Sequence, residues 1–178
     1  LNGLLFPTRG RLLFEGQPVS DKPAERRDLR RRVALVFQFP EAQIFEATVF
    51  EEVAFAARQN NLGIDQIQVR VNEALLAVGL DPAAFLSRNP MKLSGGEDRL
   101  VTIASLLVVD PDWLILDEPT LGLDYPHTRM VQELIETRRQ TGKGVLLITH
   151  DLDLALAVCP RLLALKQGRL VWKGATRE

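Results

Sequence analysis

Two adjacent carboxylates, Asp117 and Glu118, close the apolar run Trp113–Leu116 and are followed by Pro119-Thr120. A short, continuously apolar run of this kind reads as a strand of a parallel sheet covered on both faces. Open α/β sheets place their ligands beyond the carboxyl ends of such strands. There, one carboxylate can hold a metal ion and the other a water, which are two requirements for hydrolysing a phosphoanhydride. Adjacent acids also occur as a helix cap or an exposed pair, but the apolar flank and the following Pro-Thr speak against that here. Upstream, Ser94-Gly95-Gly96 opens an apolar helical stretch. The unpaired N–H groups at such a start, reinforced by the helix dipole, make an anion site suited to phosphate. Both clusters lie within one block, Leu93 to Asp124.

The elements that must position these groups can be read from periodicity and punctuation. Gly96 to Val109 is apolar almost all round, the mark of a buried helix, and Pro111 ends it. Tyr125 to Gln140 is the next helix, with Met130, Val131, Leu134 and Ile135 inward, Arg138 and Arg139 near its end and Gly142 as its stop. Val145 to Thr149 is a second buried strand, delivering His150. A helix follows from Asp151 to about Val158, then a hairpin over Arg161–Trp172 turned at Gln167-Gly168.

Toward the N-terminus, Leu1 to Gly10 reads as an apolar helical end stopped by Pro7 and Gly10. Gly10 to Gly16 reads as a short strand, and Pro18 to Asp21 as a turn. The basic segment Ala24–Arg32 is expected to be a solvated helix face. Val33–Phe37 is a strand ending at Gln38. Pro40 breaks it, and Thr48 is an N-cap with Glu51 three residues on. Ile64 to Leu80 is an amphipathic helix ending near Gly79.

The order of these motifs resembles the nucleotide-binding domain of ABC transporters, with LSGGE as signature motif, LILDEP as Walker B strand and LGLD as D-loop. The resemblance implies an α/β fold, a P-loop NTPase-like three-layer and mostly parallel sheet with a small helical subdomain. Residues 1–38 would be the remainder of an N-terminal core, 39–92 the Q-loop and helical subdomain, and 93–178 the signature, Walker B and C-terminal core. The implied ligands are ATP and Mg2+. Asp117 would hold magnesium through water, and Glu118 would orient and deprotonate the attacking water. His150 would contact the γ-phosphate. Gln38 would coordinate magnesium and sense the nucleotide. Ser94, Gly95, Gly96 and Glu97 would clasp ATP bound to an opposite subunit, and Asp124 would cross the dimer interface or cap the next helix. His127 is expected to be structural.

The phrase Phe37–Ala56 is similar to that of energy-coupling-factor ATPases, which serve importers of vitamins or of transition-metal ions such as cobalt or nickel. That implies two partners, a second ABC ATPase subunit (homo- or heterodimer) and an integral membrane subunit. Phe39, Ile44 and Phe45 either pack under the helical subdomain or form the groove that receives this membrane subunit. It also implies a place at the cytoplasmic face of the membrane. Two residues depart from the family: Glu97 stands where glutamine is commonest, and Asp98 where a basic residue is usual. No Gly-x-x-x-x-Gly-Lys-Ser/Thr pattern occurs in the sequence. The chain therefore reads as a domain entered after its phosphate loop, and these residues alone are expected to bind ATP poorly. The alternative is a non-catalytic subunit that lends only its signature face to another subunit's ATP.

Composition narrows the field further. With 178 residues, 46% of them hydrophobic, the chain can bury a core. The net charge of −1 recruits neither nucleic acid nor an anionic membrane. No apolar stretch is long enough to span a bilayer, and the start lacks signal-peptide features. The single Cys159 has no partner for a disulfide and no zinc spacing, so packing is its expected role. The short separation of Gln38 from Ser94 leaves no room for the coiled-coil arms of DNA-repair relatives.

Overall fold

The computed structural model describes residues 2–5, 7–37, 44–60 and 62–176. Its centre is a three-stranded parallel sheet of β3 (Val33–Val36), β4 (Trp113–Asp117) and β5 (Gly144–Ile148), in that order, with β4 in the middle. Leu114, Leu116, Ala34 and Val36 face one core. It is completed by α2 (Val49–Gln59), α3 (Ile64–Ala77), α5 (Gly95–Leu107) and α6 (Tyr125–Gln140). Ile115 and Val33 face the other side, where α1 (Pro23–Arg32) brings Leu29 against them. Burial on both faces is why β4 reads as an unbroken apolar run.

Further elements flank this core. They are the short α4 (Pro82–Phe85), α7 (Leu152–Val158), and two antiparallel hairpins, β1 (Leu13–Phe14) with β2 (Gln17–Pro18) and β6 (Arg161–Lys166) with β7 (Arg169–Ala175). Among the described residues no helix is long and apolar enough to cross a membrane.

The helices begin where the caps predict. The Thr48 hydroxyl accepts the Glu51 amide at 3.2 Å, and Asp151 accepts that of Leu154 at 3.0 Å. Helix α6 spans the expected residues.

Three expectations need correction. Residues 3–5 and 8–10 form bends rather than a helical end, with Gly3 and Gly10 at φ +74° and +87°. The first reversal lies at Glu15-Gly16 instead of Pro18–Asp21. Both residues have positive φ (51° and 79°), the requirement of a tight hairpin turn, and Pro18 pairs with Leu13 in the strand.

The basic helix is also not simply solvated. Arg32 donates to Asp112 at 2.6 Å and to Glu15 at 3.0 Å, and its guanidinium stacks 4.5 Å above Phe14. It thereby clamps the first hairpin to the entry of β4. A charge run does not reveal this, because Asp112 is 80 residues away.

Candidate functional site

Glu118 follows β4 with φ +47°, a left-handed conformation uncommon for a residue with a side chain. The turn is fixed at both backbone groups. The Glu118 N–H donates to the Ile148 carbonyl at 2.9 Å, and its carbonyl accepts Arg99 Nη1 at 2.7 Å and the Leu121 N–H at 3.2 Å. The kink aims the carboxylate at the end of β5. There His150 Nδ1 lies 2.7 Å from Oε1, the His150 N–H donates to the same oxygen at 3.0 Å, and the Thr149 hydroxyl donates to Oε2 at 3.1 Å.

Burial pushes the Glu118 carboxyl up. The hydrogen bonds from His150 and Thr149, with the His150 charge, outweigh it and leave the carboxyl below its usual range. The same hydrogen bond and the charge of Glu118 raise His150. Both shifts favour the charged pair. It is complete between the two titrations, lost as pH falls through the lowered Glu118 value and lost as pH rises through the raised His150 value. An NMR titration should therefore place His150 above its ordinary 6.5 in the wild type and return it toward 6.5 in Glu118→Gln.

Asp117 is the last residue of β4, half-buried, opposite Ile148 in the register. Among the described residues no group of three or more His, Cys, Asp or Glu side chains gathers as a metal cage. A single carboxylate at a sheet end suits magnesium, which takes one or two carboxylates and leaves its other positions to phosphate and water. Gln38 lies outside the described residues, as does Phe39.

The Ser-Gly-Gly turn is the N-terminus of α5. Ser94 caps it, accepting the Glu97 amide at 3.3 Å, while the Glu97 carboxylate accepts the Ser94 N–H at 2.9 Å. Arg88 binds the same carboxylate with two hydrogen bonds, at 2.8 and 3.0 Å. Glu97 is thus engaged in holding the turn, at whose start lie Gly95 and Gly96. The Arg88 guanidinium and the Ser94 amide pull the Glu97 carboxyl down to about 2. A depressed carboxyl stabilises the fold above its unfolded value and ceases to as pH falls toward 2. Replacing Glu97 with Gln should cost about 1 kcal/mol in urea unfolding at neutral pH. The difference should vanish in acid.

Asp124 caps α6, accepting the His127 N–H at 3.1 Å, and pairs with His127 Nδ1. The His127 ring covers Gly96, where a Cβ would come within 3.0 Å of it. His127 thus joins the segment at Asp124 to the glycine turn. Reading the sequence missed Arg88, Arg99 and Thr149. A buried arginine in an otherwise apolar helix was the only available signal for Arg99.

A family model described as "ABC transporter" matches residues 1–121. The chain is 44% identical over its whole length to the energy-coupling factor transporter ATP-binding protein EcfA2 of Symbiobacterium thermophilum, and covers 62% of that protein. It is 43% identical to a putative ABC transporter ATP-binding protein of Pyrococcus furiosus, covering 66% of it. Among solved structures, CbiO1 of Clostridium perfringens, part of the ABC transporter complex CbiONQ, superposes with a TM-score of 0.88. It is 34% identical, over 99% of this chain and 70% of that one. The ATP-binding cassette MJ0796, in a dimer bound to ADP and Pi, gives a TM-score of 0.89 at 26% identity, over 99% of this chain and 78% of that one. The chain therefore belongs to the ABC transporter ATP-binding family, and within it is most like the energy-coupling-factor proteins.

Proposed function

We propose that the protein to which these residues belong binds and hydrolyses magnesium ATP, and that it does so to energise an energy-coupling-factor importer of vitamins or transition-metal ions. The observation that carries this reading is the Glu118 carboxylate. It is kept ionised beside Asp117 and held by His150 and Thr149 at the end of β4. A base held in that state accepts a proton from water. His150, whose side chain is 79% exposed, has room to turn from Glu118 toward a terminal phosphate. Magnesium would supply charge neutralisation at the phosphates, with Asp117 and Gln38 as its protein contacts. The 178 residues contain no phosphate-loop pattern, so we expect nucleotide affinity to depend on a segment beyond them.

The Ser94-Gly95-Gly96 turn would clasp ATP held by a second ATPase subunit, with Asp124 crossing the interface. Exposed Leu121 and Tyr125 flank Asp124 and would be covered there. A membrane subunit would dock beside the segment around Phe45, which is 61% exposed and makes an edge contact with Phe55 at 4.9 Å. Ile44 is buried and belongs to the packing. The buried Glu52 carboxylate holds the loop by accepting the Phe45 and Glu46 N–H groups at 3.1 and 3.0 Å. Docked in this way, the protein would work at the cytoplasmic face of a membrane. The test is co-purification of the full-length protein with an integral membrane subunit from detergent extract. Phe45→Glu should abolish it, and retention by that variant would sink the docking assignment.

A further inference from the structure

We propose that Arg99 is a positioning residue that ties the helix bearing the Ser-Gly-Gly turn to Glu118. Engagement of a neighbour's nucleotide at Ser94 would then set the geometry of the water-activating carboxylate in this subunit's own site. The inference rests on the role of Glu118 given above. Arg99 sits in the second turn of α5, just beyond Ser94-Gly95-Gly96, and is 7% exposed. It points inward, away from any nucleotide at the turn, and Nη1 donates to the Glu118 carbonyl at 2.7 Å.

That carbonyl belongs to the left-handed residue whose conformation aims the carboxylate. A non-glycine residue keeps such a conformation only where its surroundings over-determine it. Here those surroundings include the guanidinium, the Leu121 N–H on the same carbonyl, and the Ile148 carbonyl on the Glu118 N–H. An α-helical turn is stiff, so a displacement of the glycine turn by a bound phosphate carries Arg99 with it and reaches Glu118 through the Nη1 hydrogen bond. The two half-sites of one subunit are joined inside that subunit, independently of the contacts between subunits.

The test compares full-length Arg99→Met and Arg99→Lys with wild type by ATP turnover and by hydrogen–deuterium exchange. In Arg99→Met, kcat should fall by about tenfold or more, with KM for ATP changed by less than about twofold. Amides of residues 118–123 should exchange about tenfold faster, while the last turns of α5 keep their protection. Arg99→Lys retains a donor and should restore kcat to within about threefold. Unchanged exchange over 118–123 in Arg99→Met, or KM and thermal midpoint falling together with kcat, would overturn the proposal. If Arg99→Met does not fold, Arg99→Lys decides: a loss of about tenfold in kcat with wild-type exchange over 118–123 would count against it. Should the wild type show no turnover, the hydrolytic reading fails, and the exchange data still judge the link.

Discussion

Replacing Glu118 with Gln in the full-length protein should lower ATP turnover by about 10²–10⁴, the range lost when a positioned general base is removed. The amide keeps the shape: its oxygen can still accept from His150 while its NH2 donates to the Thr149 hydroxyl, so folding and nucleotide binding should persist. What disappears is the negative charge that water must meet. In the structure that charge is preserved against burial by the His150 and Thr149 hydrogen bonds. Turnover should therefore respond to the variant while ATP affinity does not, as single-turnover and equilibrium-binding measurements would resolve. A variant with weaker binding and unchanged turnover would place Glu118 outside the chemistry.

The second large effect concerns the other half-site. Ser94→Arg removes the cap hydroxyl and puts a bulky cation at the anion-facing turn. Turnover should fall by about 10² or more, the scale seen when one preorganised donor to a developing charge is lost. Affinity for ATP in the subunit's own site should stay within about twofold, because the turn is assigned to a neighbour's nucleotide. The two variants thus share one phenotype in turnover and differ in how they reach it. Glu118→Gln leaves the nucleotide-bound pair closed, whereas Ser94→Arg leaves each subunit loaded and apart. Sedimentation in the presence of magnesium ATP would distinguish them.

Much of the site was legible because the residues that form it also carry local signals. Ser94 with Glu97 is a capping box, and Asp124 and Asp151 are N-caps. The run ending at Asp117 is apolar on both faces of the sheet. Each is written within a few residues, so the sequence and the fold agree on where α5, β4, α6 and α7 begin.

What was not legible depends on partners distant in the chain. The Arg32–Asp112 clamp, the Arg99 hydrogen bond to Glu118 and the Thr149 hydroxyl on Glu118 join segments separated by 80, 19 and 31 residues. No periodicity encodes such pairings. The N-terminal bends went unrecognised for a different reason. An apolar run interrupted by glycine scores as a helix end, yet Gly3 and Gly10 adopt positive φ and take the chain out of helical space. Glu97 gains its anchor from a residue outside its own helix. A carboxylate in place of an amide gains the bidentate Arg88 and becomes part of the cap.

Cys159 illustrates the same dependence on packing. It is half-buried, and burial raises its thiol, which disfavours the thiolate at neutral pH.

The most direct test of the central claim is phosphate release by the full-length protein, assembled with its ATPase and membrane partners, from ATP with and without magnesium. The Glu118 arrangement predicts magnesium-dependent release that Glu118→Gln abolishes. Magnesium-dependent ATP binding without release by the wild type, in an assembly where only the other ATPase subunit's glutamate supports turnover, would contradict it. That result would make this a subunit that lends only its Ser94-Gly95-Gly96 face.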